Sequence, residues 1–289
     1  MFLHDLQPKV KIHCWGGLGS QLYAVALRLE LQSMYPDRKF VIVSHENGVT
    51  RRTSEISDFF PGSVICIQDY LSSNQAQVKM NRNRFRSINL LVRKLLVELL
   101  RFLSISIDGD RASSLSKIRP WTLQIRGHYS LRKLDKSALV QIQNMLRKAV
   151  IEPAEDPEEQ SIFVHFRLGD LLTLQSKSPI SLDRLLPVIQ DLHNRIGLRI
   201  TLFSDSPDEA FRFLEGGNFP INVSKGLSAL DTLYTLVNSQ YFIGTNSKIS
   251  VWATILDSER FSRIDSYLPY ELQHHVIANI GSRKNIRFY

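Results

Sequence analysis

The sequence predicts an α/β protein that consists of two parallel-sheet domains joined by a linker. An apolar, strand-like run over residues 9–15 ends in a glycine turn and leads into a segment with helical periodicity. Residues 151–160 contain five acids and two prolines, a composition that resists regular structure, and the alternation of strands and helices begins again beyond them. We therefore predict an N-terminal domain over residues 1–152 and a C-terminal domain over residues 153–289.

The N-terminal domain begins with the pattern of a β-α-β unit. Residues 9–15 form the first predicted strand, residues 21–34 carry apolar side chains at helical spacing, and residues 40–44 indicate a second buried strand. Two strands joined through a helix lie parallel in one sheet. A further helix is predicted over residues 134–150, next to the linker.

The C-terminal domain repeats this alternation. Its predicted strands cover residues 162–166, 199–203 and 241–244, and its predicted helices cover residues 182–196, 207–213, 232–238 and 250–256. Several of these strands run directly into polar residues. In open α/β sheets ligands bind beyond the carboxyl ends of the strands, so these polar residues are the first candidates for a functional site.

Length and composition place the chain among compact globular proteins. With 289 residues, 43% of them hydrophobic, it can bury a core in each of two domains. The N-terminal segment lacks the basic start, apolar run and cleavage site of a signal peptide, so we expect a cytoplasmic protein. Cys14 and Cys66 lie in apolar, strand-like runs and are predicted to be buried thiols in a reducing compartment, with a disulfide as the open alternative.

The chain is basic, with a formal net charge of +8 and a pI near 9.5. Such a charge suits a nucleic acid, an anionic membrane surface or a phosphorylated substrate. The sequence contains no zinc-finger spacing, aromatic RNA-binding segment or basic region followed by heptads, so we expect no nucleic-acid partner. The other two partners remain.

Residues 82–101 predict a basic amphipathic helix. Six Lys and Arg residues, against a single Glu, are interleaved with six leucines. The longest uncharged run falls far short of the roughly 20 apolar residues that cross a bilayer. The basic face allows two interpretations: an ordinary solvated helix, or peripheral docking to anionic lipid on the inner face of the cell membrane.

The most informative strand end is the run from His165 to Asp170. Arg167 follows a predicted buried strand, and its planar fork of donors suits a diphosphate. Gly169 permits a sharp turn, and Asp170 is expected to orient Arg167 or to cap the next segment. On these residues alone, a buried strand that ends in an ordinary turn with a surface ion pair is an equal alternative.

Two further strand ends carry small polar residues. Ser204 and Asp205 precede a predicted helix, where the carboxylate either accepts hydrogen bonds from a nucleotide base or caps the helix. Asn246 and Ser247 precede the last predicted helix, where hydroxyls and backbone N–H groups suit phosphate oxygens or, again, a cap. Spacing alone does not decide between these roles.

Other patterns are less specific. The glycine turn lacks the third glycine of a dinucleotide fingerprint and the Lys-Ser/Thr pair of a P-loop. Asp108 and Asp110 form a DxD triplet, which holds a divalent metal in many enzymes, with a surface loop as the alternative. His274 and His275 have no third ligand at metal spacing and are predicted to be structural.

Taken in order, five segments resemble the α-1,2-fucosyltransferases, glycosyltransferase family 11, which belong to a wider group of fucosyltransferases with a shared His-x-Arg motif. The segments begin at Gly16 (GGLGSQL), Gly127 (GHYS), His165 (HFRLGD), Phe203 (FSD) and Asn246 (NS, followed by WA at 252–253). They stand in the family's order and approximate spacing, and the resemblance runs almost from end to end.

The resemblance implies a GT-B fold, in which two Rossmann-like domains face a cleft, and an inverting, metal-independent transfer without a cofactor. In the family the donor is GDP-L-fucose, and the acceptor hydroxyl is usually on a galactose. Carried over to this sequence, the motif implies that Arg167 contacts the diphosphate, with His165 beside it. The sequence singles out no general base; Asp170 is the candidate, with the orientation of Arg167 as its alternative role. The implied nucleotide pocket and cleft loop consist of Ser204, Asp205, Asn246 and Ser247, and of Gly17, Gly19 and Gln21.

Four positions depart from the family pattern. Leu168 replaces the second arginine of the motif, and Ser20, Ser206 and Val251 replace an asparagine, an aspartate and a tryptophan. The lost cation leaves the donor open between GDP-fucose and a related GDP-deoxysugar such as colitose. A metal-dependent transferase and a non-catalytic nucleotide-sugar or glycan-binding module are the alternatives. A lipid-linked oligosaccharide acceptor, as in bacterial O-antigen and lipopolysaccharide synthesis, fits the expected location.

Overall fold

The structure is a computed structural model. It describes residues 9–46, 53–57, 64–67, 95, 98–110, 118–130, 132–149, 161–172, 178–256, 263–281 and 283–289. The chain divides into two compact units, Met1–Ile142 and Gln143–Tyr289. The predicted linker 151–160, with the predicted domain boundary after residue 152, lies outside the described residues.

The N-terminal unit contains a five-stranded parallel sheet. Its strands are β1 (Val10–Trp15), β2 (Phe40–His45), β3 (Val64–Ile67), β4 (Ser106–Asp108) and β5 (Gln124–Arg126), in the order β3-β2-β1-β5-β4. Helix α1 (Leu18–Met34) follows β1, and helix α2 (Lys136–Ala149) contains the division between the units. The chain runs outward from β1 to β3 and returns on the other side of β1. The topological switch point of this sheet therefore lies between β1 and β5.

The first β-α-β unit forms because its apolar residues are buried from both sides. Val10 and Ile12 in β1 and Ile42 in β2 are fully buried, as expected for parallel strands covered by helices. Helix α1 begins at Leu18 rather than at the predicted residue 21, since the glycine turn already leads into the first helical turn.

The C-terminal unit contains a six-stranded parallel sheet. Its strands are β6 (Ile162–His165), β7 (Ile200–Phe203), β8 (Ile221–Val223), β9 (Tyr241–Gly244), β10 (Asp265–Leu268) and β11 (Ile286–Phe288), in the order β11-β10-β9-β6-β7-β8. The described helices are α3 (Leu182–Ile196), α4 (Pro207–Leu214), α5 (Ala229–Val237), α6 (Lys248–Ile255) and α7 (Gln273–Ile280), with short 3-10 helices at Gly169–Leu172 and Tyr270–Leu272.

The strand order of this sheet places a switch point beside β6. After β6 the chain continues to β7 and β8 on one side, and it then crosses to β9, β10 and β11 on the other. β6 and β9 therefore flank the switch point, where the connections that leave an open parallel sheet generally diverge and form a crevice. Open parallel sheets bind ligands at such a crevice.

The predicted fold class, two Rossmann-like parallel-sheet domains as in GT-B proteins, is confirmed. The predicted helix 182–196 and strand 241–244 have the observed bounds, and most other predicted elements differ by one to three residues. Strands β4, β5, β8, β10 and β11 and helix α7 were not predicted, because these elements are short and lack strong periodicity.

Only residues 95 and 98–101 of the predicted basic helix 82–101 are described, and these are helical. No helix among the described residues has the length and apolarity to cross a bilayer.

The prediction of two buried cysteines was wrong for Cys66, which is exposed because β3 is the edge strand of its sheet. Cys14 is buried, and burial raises the pKa of its thiol to about 12; both cysteines are free thiols.

Candidate functional site

The carboxyl ends of β6 and β9 are joined by hydrogen bonds around one threonine. The Thr245 backbone N–H and hydroxyl both donate to the His165 carbonyl oxygen, at 3.1 and 3.0 Å. The Arg167 backbone N–H donates to the same hydroxyl oxygen at 3.0 Å. The backbone on both sides of Phe166 is thus fixed where the chain leaves the sheet. This fixes the start of the Arg167 side chain at the switch point.

The end of β7 is joined to the same segment by a carboxylate. Asp205 Oδ1 accepts the backbone N–H of Leu168 at 2.9 Å. Gly169 packs against this carboxylate, because a Cβ at residue 169 would lie 2.3 Å from Asp205 Oδ2. Gly169 has no positive φ, so glycine is needed here for the close approach of the acid. The ends of β6, β7 and β9 converge on the segment 166–169.

His165 is a buried, uncharged side chain at this edge. Its Nδ1 lies 3.0 Å from the Ser250 hydroxyl of α6. The pKa of His165 is lowered to about 4, chiefly by burial; the Asp205 charge opposes the shift, and the Arg167 charge adds to it. The imidazole is therefore neutral at pH 7. It offers a hydrogen-bonding group but is a weak proton acceptor at that pH.

Arg167 brings positive charge to the crevice. Its side chain is half-buried, and its charge reaches His165 strongly enough to affect the pKa of that imidazole. A guanidinium at the carboxyl edge of a parallel sheet suits the planar, bidentate recognition of a phosphate. The exposed carboxylate of Asp205 lies just after the end of the neighbouring strand β7. The edge thus offers one cation and one anion on a rigid backbone frame.

The turn from β9 into α6 is tightly packed. A Cβ at Gly244 would lie 2.6 Å from Ser250 Cβ and 2.7 Å from Leu268 Cδ2, so only glycine fits there. Ser247 is the N-cap of α6, and its hydroxyl accepts the Ile249 N–H at 3.2 Å. Ser247 therefore caps α6, one of the two roles that the sequence allowed. Asn246, one residue earlier, is exposed.

In the turn after β7, neither Ser204 nor Asp205 caps the helix that follows. Ser204 Oγ accepts the Ser206 N–H at 3.1 Å and closes the turn. Ser206, not Asp205, is the N-cap of α4, and it makes no side-chain cap bond. The Asp205 carboxylate instead accepts the backbone N–H of Leu168, a residue that lies outside α4. Asp170 lies in the 3-10 helix Gly169–Leu172, and its side chain lies outside the described part of the structure.

The glycine turn of the N-terminal unit is held by Gln21. This side chain is 0% exposed, donates to the carbonyl oxygens of Gly16 and Thr53, and accepts the N–H groups of Glu55 and Ile56. Its amide is thus occupied by backbone, so Gln21 positions the turn. Gly17 is the N-cap of α1, and Gly19 lies buried in the first turn of that helix.

An acid already occupies the start of α1. The Leu18 N–H donates to Glu55 Oε2, so a carboxylate sits where a phosphate would bind at a helix N-terminus. Neither Glu55 nor Ser250 of the other unit was predicted from the sequence as a site residue. Ser250 was detectable in principle, because Ser247, Ser250 and Thr254 form a polar stripe on an otherwise apolar helix.

The DxD triplet has a structural role. Asp110 accepts the backbone N–H groups of His128 and Tyr129, and Asp108 Oδ1 accepts the N–H of Asp110 itself. A Cβ at Gly127 would lie 2.9 Å from the Asp110 carboxylate, so this loop is closed around the acid. Within the described ranges, no group of three or more His, Cys, Asp and Glu residues is arranged to hold a metal ion.

Neither protein-family models nor curated proteins match the sequence. Solved structures similar to the chain include a family 9 glycosyltransferase from Veillonella parvula, with 11% identity and a TM-score of 0.42 over 91% of this chain and 81% of that one. They also include Escherichia coli heptosyltransferase WaaC with ADP (13%, 0.43, 97% and 90%) and POFUT1 in complex with GDP-fucose (11%, 0.41, 91% and 98%). These distant likenesses do not assign the chain to a family.

Proposed function

We propose that this protein is an inverting α-1,2-fucosyltransferase-like glycosyltransferase. It transfers L-fucose from GDP-L-fucose to a hydroxyl, the 2-OH of galactose, without a metal ion. The observation that carries the proposal is Arg167 at the switch point of the C-terminal sheet, with its backbone held by Thr245 and the next residue held by Asp205. The fixed backbone and the position at this edge support a role of the Arg167 side chain in binding a diphosphate.

Arg167 supplies the main catalytic requirement of such a transfer. As the bond to the sugar breaks, negative charge develops on the departing GDP, and the Arg167 guanidinium stabilises that charge. The neutral His165 adds a hydrogen-bonding group behind the arginine and no second charge. In this proposal Asp205, Asn246 and Ser247 border the nucleotide.

One observation favours the alternatives of another GDP-deoxysugar or a non-catalytic binding module. Leu168, which replaces the second arginine of the resembled motif, is 1% exposed and packs in the hydrophobic core of its unit. The Leu168 side chain is buried and uncharged, so this position supplies no positive charge to a diphosphate. Diphosphate binding then depends on Arg167 more heavily than in a two-arginine site.

Calorimetric titration of GDP, with UDP as the comparison and a chelator present, tests the donor assignment. We expect GDP to bind selectively and Arg167→Ala to weaken it about a hundredfold or more. Arg212→Ala, which removes an exposed arginine of α4, is the matched control and should leave GDP affinity unchanged. Binding only with metal present, or no GDP binding at all, would overturn the assignment.

A transfer assay separates the enzyme from a binding module. GDP-fucose and a galactose-terminated glycan should yield a fucosylated product and free GDP with the chelator present. GDP binding that is selective and dependent on Arg167, without transfer from GDP-fucose or GDP-colitose, would favour the module.

We also propose that the enzyme works on a lipid-linked glycan, such as an O-antigen intermediate, at an anionic membrane surface. The described end of the basic segment supports this contact, because Leu95, Leu99 and Phe102 are exposed there, Phe102 by 85%. Trp121 is also exposed, and its indole N–H donates to the Leu103 carbonyl oxygen at 2.9 Å. Exposed Leu, Phe and Trp side chains beside basic residues are typical of interfacial segments.

A further inference from the structure

Three aromatic rings form a stack at the carboxyl ends of β1 and β2. Trp15 and His45 are register partners on the two strands, and their ring centroids lie 4.4 Å apart with an angle of 9° between the planes. His13 Nδ1 lies 2.8 Å from His45 Nε2. His13 is only 7% exposed, whereas Trp15 and His45 are partly exposed. We refer to Trp15 and His45, with His13 behind them, as the aromatic platform.

The platform stands where the N-terminal sheet can receive a ligand. β1 borders the switch point of its sheet, and Trp15 is the last residue of that strand. Gly16 and Gly17 follow, so no side chain rises from the next two residues. A Cβ at Gly17 would have only one neighbour within 4 Å, Glu55 Oε2 at 3.6 Å, so the turn after the indole is not crowded.

The platform is rigid as well as accessible. The hydrogen bond between the imidazoles fixes the His45 ring, and the near-parallel contact with His45 fixes the Trp15 ring. Little side-chain entropy is lost when a ligand packs on rings that are already ordered. A rigid aromatic surface suits a flat, weakly polar partner, and the ring nitrogens at its edge suit hydroxyl groups.

Charge argues against a nucleotide as that partner. The Glu55 carboxylate binds the Leu18 N–H, directly after the glycine turn. A helix N-terminus that faced a phosphate would leave its N–H groups for that anion. The acid therefore repels a diphosphate next to the platform, and it leaves uncharged ligands unaffected.

We propose that the aromatic platform binds the galactopyranose ring of the acceptor glycan. One face of galactose carries the C–H groups of C3, C4 and C5, and this face packs on Trp15 while the hydroxyls remain at the rim near His45. The inference rests on the proposed function for the identity of the sugar, and it adds the acceptor subsite that the donor residues do not supply.

Saturation-transfer difference NMR with methyl β-D-galactopyranoside tests this subsite without donor or turnover. The galactoside should bind the wild type, with the strongest saturation at H3, H4 and H5. Trp15→Ala and His45→Ala should weaken binding about tenfold or more, whereas Trp15→Phe, which keeps a ring, should retain most of it. Trp121→Ala removes an exposed indole outside the platform and should have no effect.

GDP titration of the same variants separates this inference from the donor assignment. Trp15→Ala should bind GDP like the wild type, which also shows that the variant is folded. Galactoside binding that depends on Trp15 in a protein that does not bind GDP would remove the proposed donor and keep the platform. No galactoside binding to the wild type, equal binding to Trp15→Ala, or loss of GDP affinity in Trp15→Ala would each overturn the platform.

Discussion

Asp205 covers Gly169 so closely that a Cβ at residue 169 would lie 2.3 Å from one carboxylate oxygen and 2.7 Å from Cγ. The other carboxylate oxygen accepts the N–H of Leu168 at 2.9 Å. The acid and the glycine therefore form one unit that holds the end of β6 against the end of β7. The position of Arg167, one residue before this contact, depends on it.

Gly169→Ala should displace Asp205 and loosen the Arg167 segment. The methyl group forces the carboxylate away, and the Leu168 N–H loses its acceptor, so we expect the free energy of unfolding to fall by about 1–3 kcal/mol. GDP affinity should fall with it. Gly216→Ala is the matched control in the same unit, since a Cβ there meets nothing within 4 Å. Equal effects of the two substitutions in urea unfolding and GDP titration would contradict this account.

The buried His165 should make stability depend on pH. The unfolded imidazole binds a proton with its ordinary pKa of 6.5, whereas the folded one does so only near pH 4. Between these values the unfolded state binds more protons, so stability is complete above pH 6.5 and falls as the pH is lowered toward 4, by about 3 kcal/mol.

Urea unfolding of the wild type and His165→Gln across this range measures the effect. The variant should show a shallower loss of stability, and the difference between the two curves should follow the titration of one group. His274→Gln, at an exposed position of α7, should keep the wild-type slope. Parallel curves for wild type and His165→Gln would show that the folded imidazole titrates normally.

Gln21→Leu should destabilise the N-terminal unit. The leucine leaves two carbonyl oxygens and two N–H groups of the glycine turn and the segment 53–56 without the amide that now satisfies them. The Ile56 N–H makes a buried bond, whereas the other three bonds are partly buried. An unpaired buried polar group costs roughly 1–3 kcal/mol and a partly buried one less, so we expect a total loss of about 2–4 kcal/mol by thermal or urea unfolding. Gln141→Leu, on an exposed position of α2, should cost almost nothing.

Replacing the exposed apolar side chains near residue 100 should weaken membrane contact. Leu99→Ser with Phe102→Ser removes apolar surface that each would bury for about 1.5–3 kcal/mol, so flotation with anionic liposomes should decrease more than tenfold. Phe213→Ser, which changes an exposed aromatic of the other unit, serves as the control. Flotation that is equal with neutral and anionic liposomes, or unchanged in the double variant, would rule out this contact.

Much of the fold was predictable because it is encoded locally. The buried runs of β1, β2, β6, β7 and β9 and the periodic helix α3 have strong hydrophobic patterns. The short strands β8, β10 and β11 lack such a pattern, since each contains only three or four residues. Their strand character comes from the neighbour that pairs with them.

The sequence predicted the position of the candidate site better than it predicted the contacts that each site residue makes. Arg167 and Asp205 were identifiable because polar residues after buried strands mark the ligand edge of a parallel sheet. Asp205 accepts a backbone N–H from another strand end, 37 positions away in the sequence. A capping pattern in the sequence cannot reveal such a contact, because it depends on which strands become neighbours.

The sequence by itself determined the two α/β halves, the glycine turns and the segments that reach the ligand edge, because periodicity and strand-end polarity are local properties of the chain. Only the tertiary structure decided that Gln21 is fully used by backbone, that His165 is buried and neutral, and that Leu168 faces the core. It also brought Trp15 and His45 into a stack. Burial, pKa and ring contacts depend on residues distant in sequence, so they exist only once the sheets have formed.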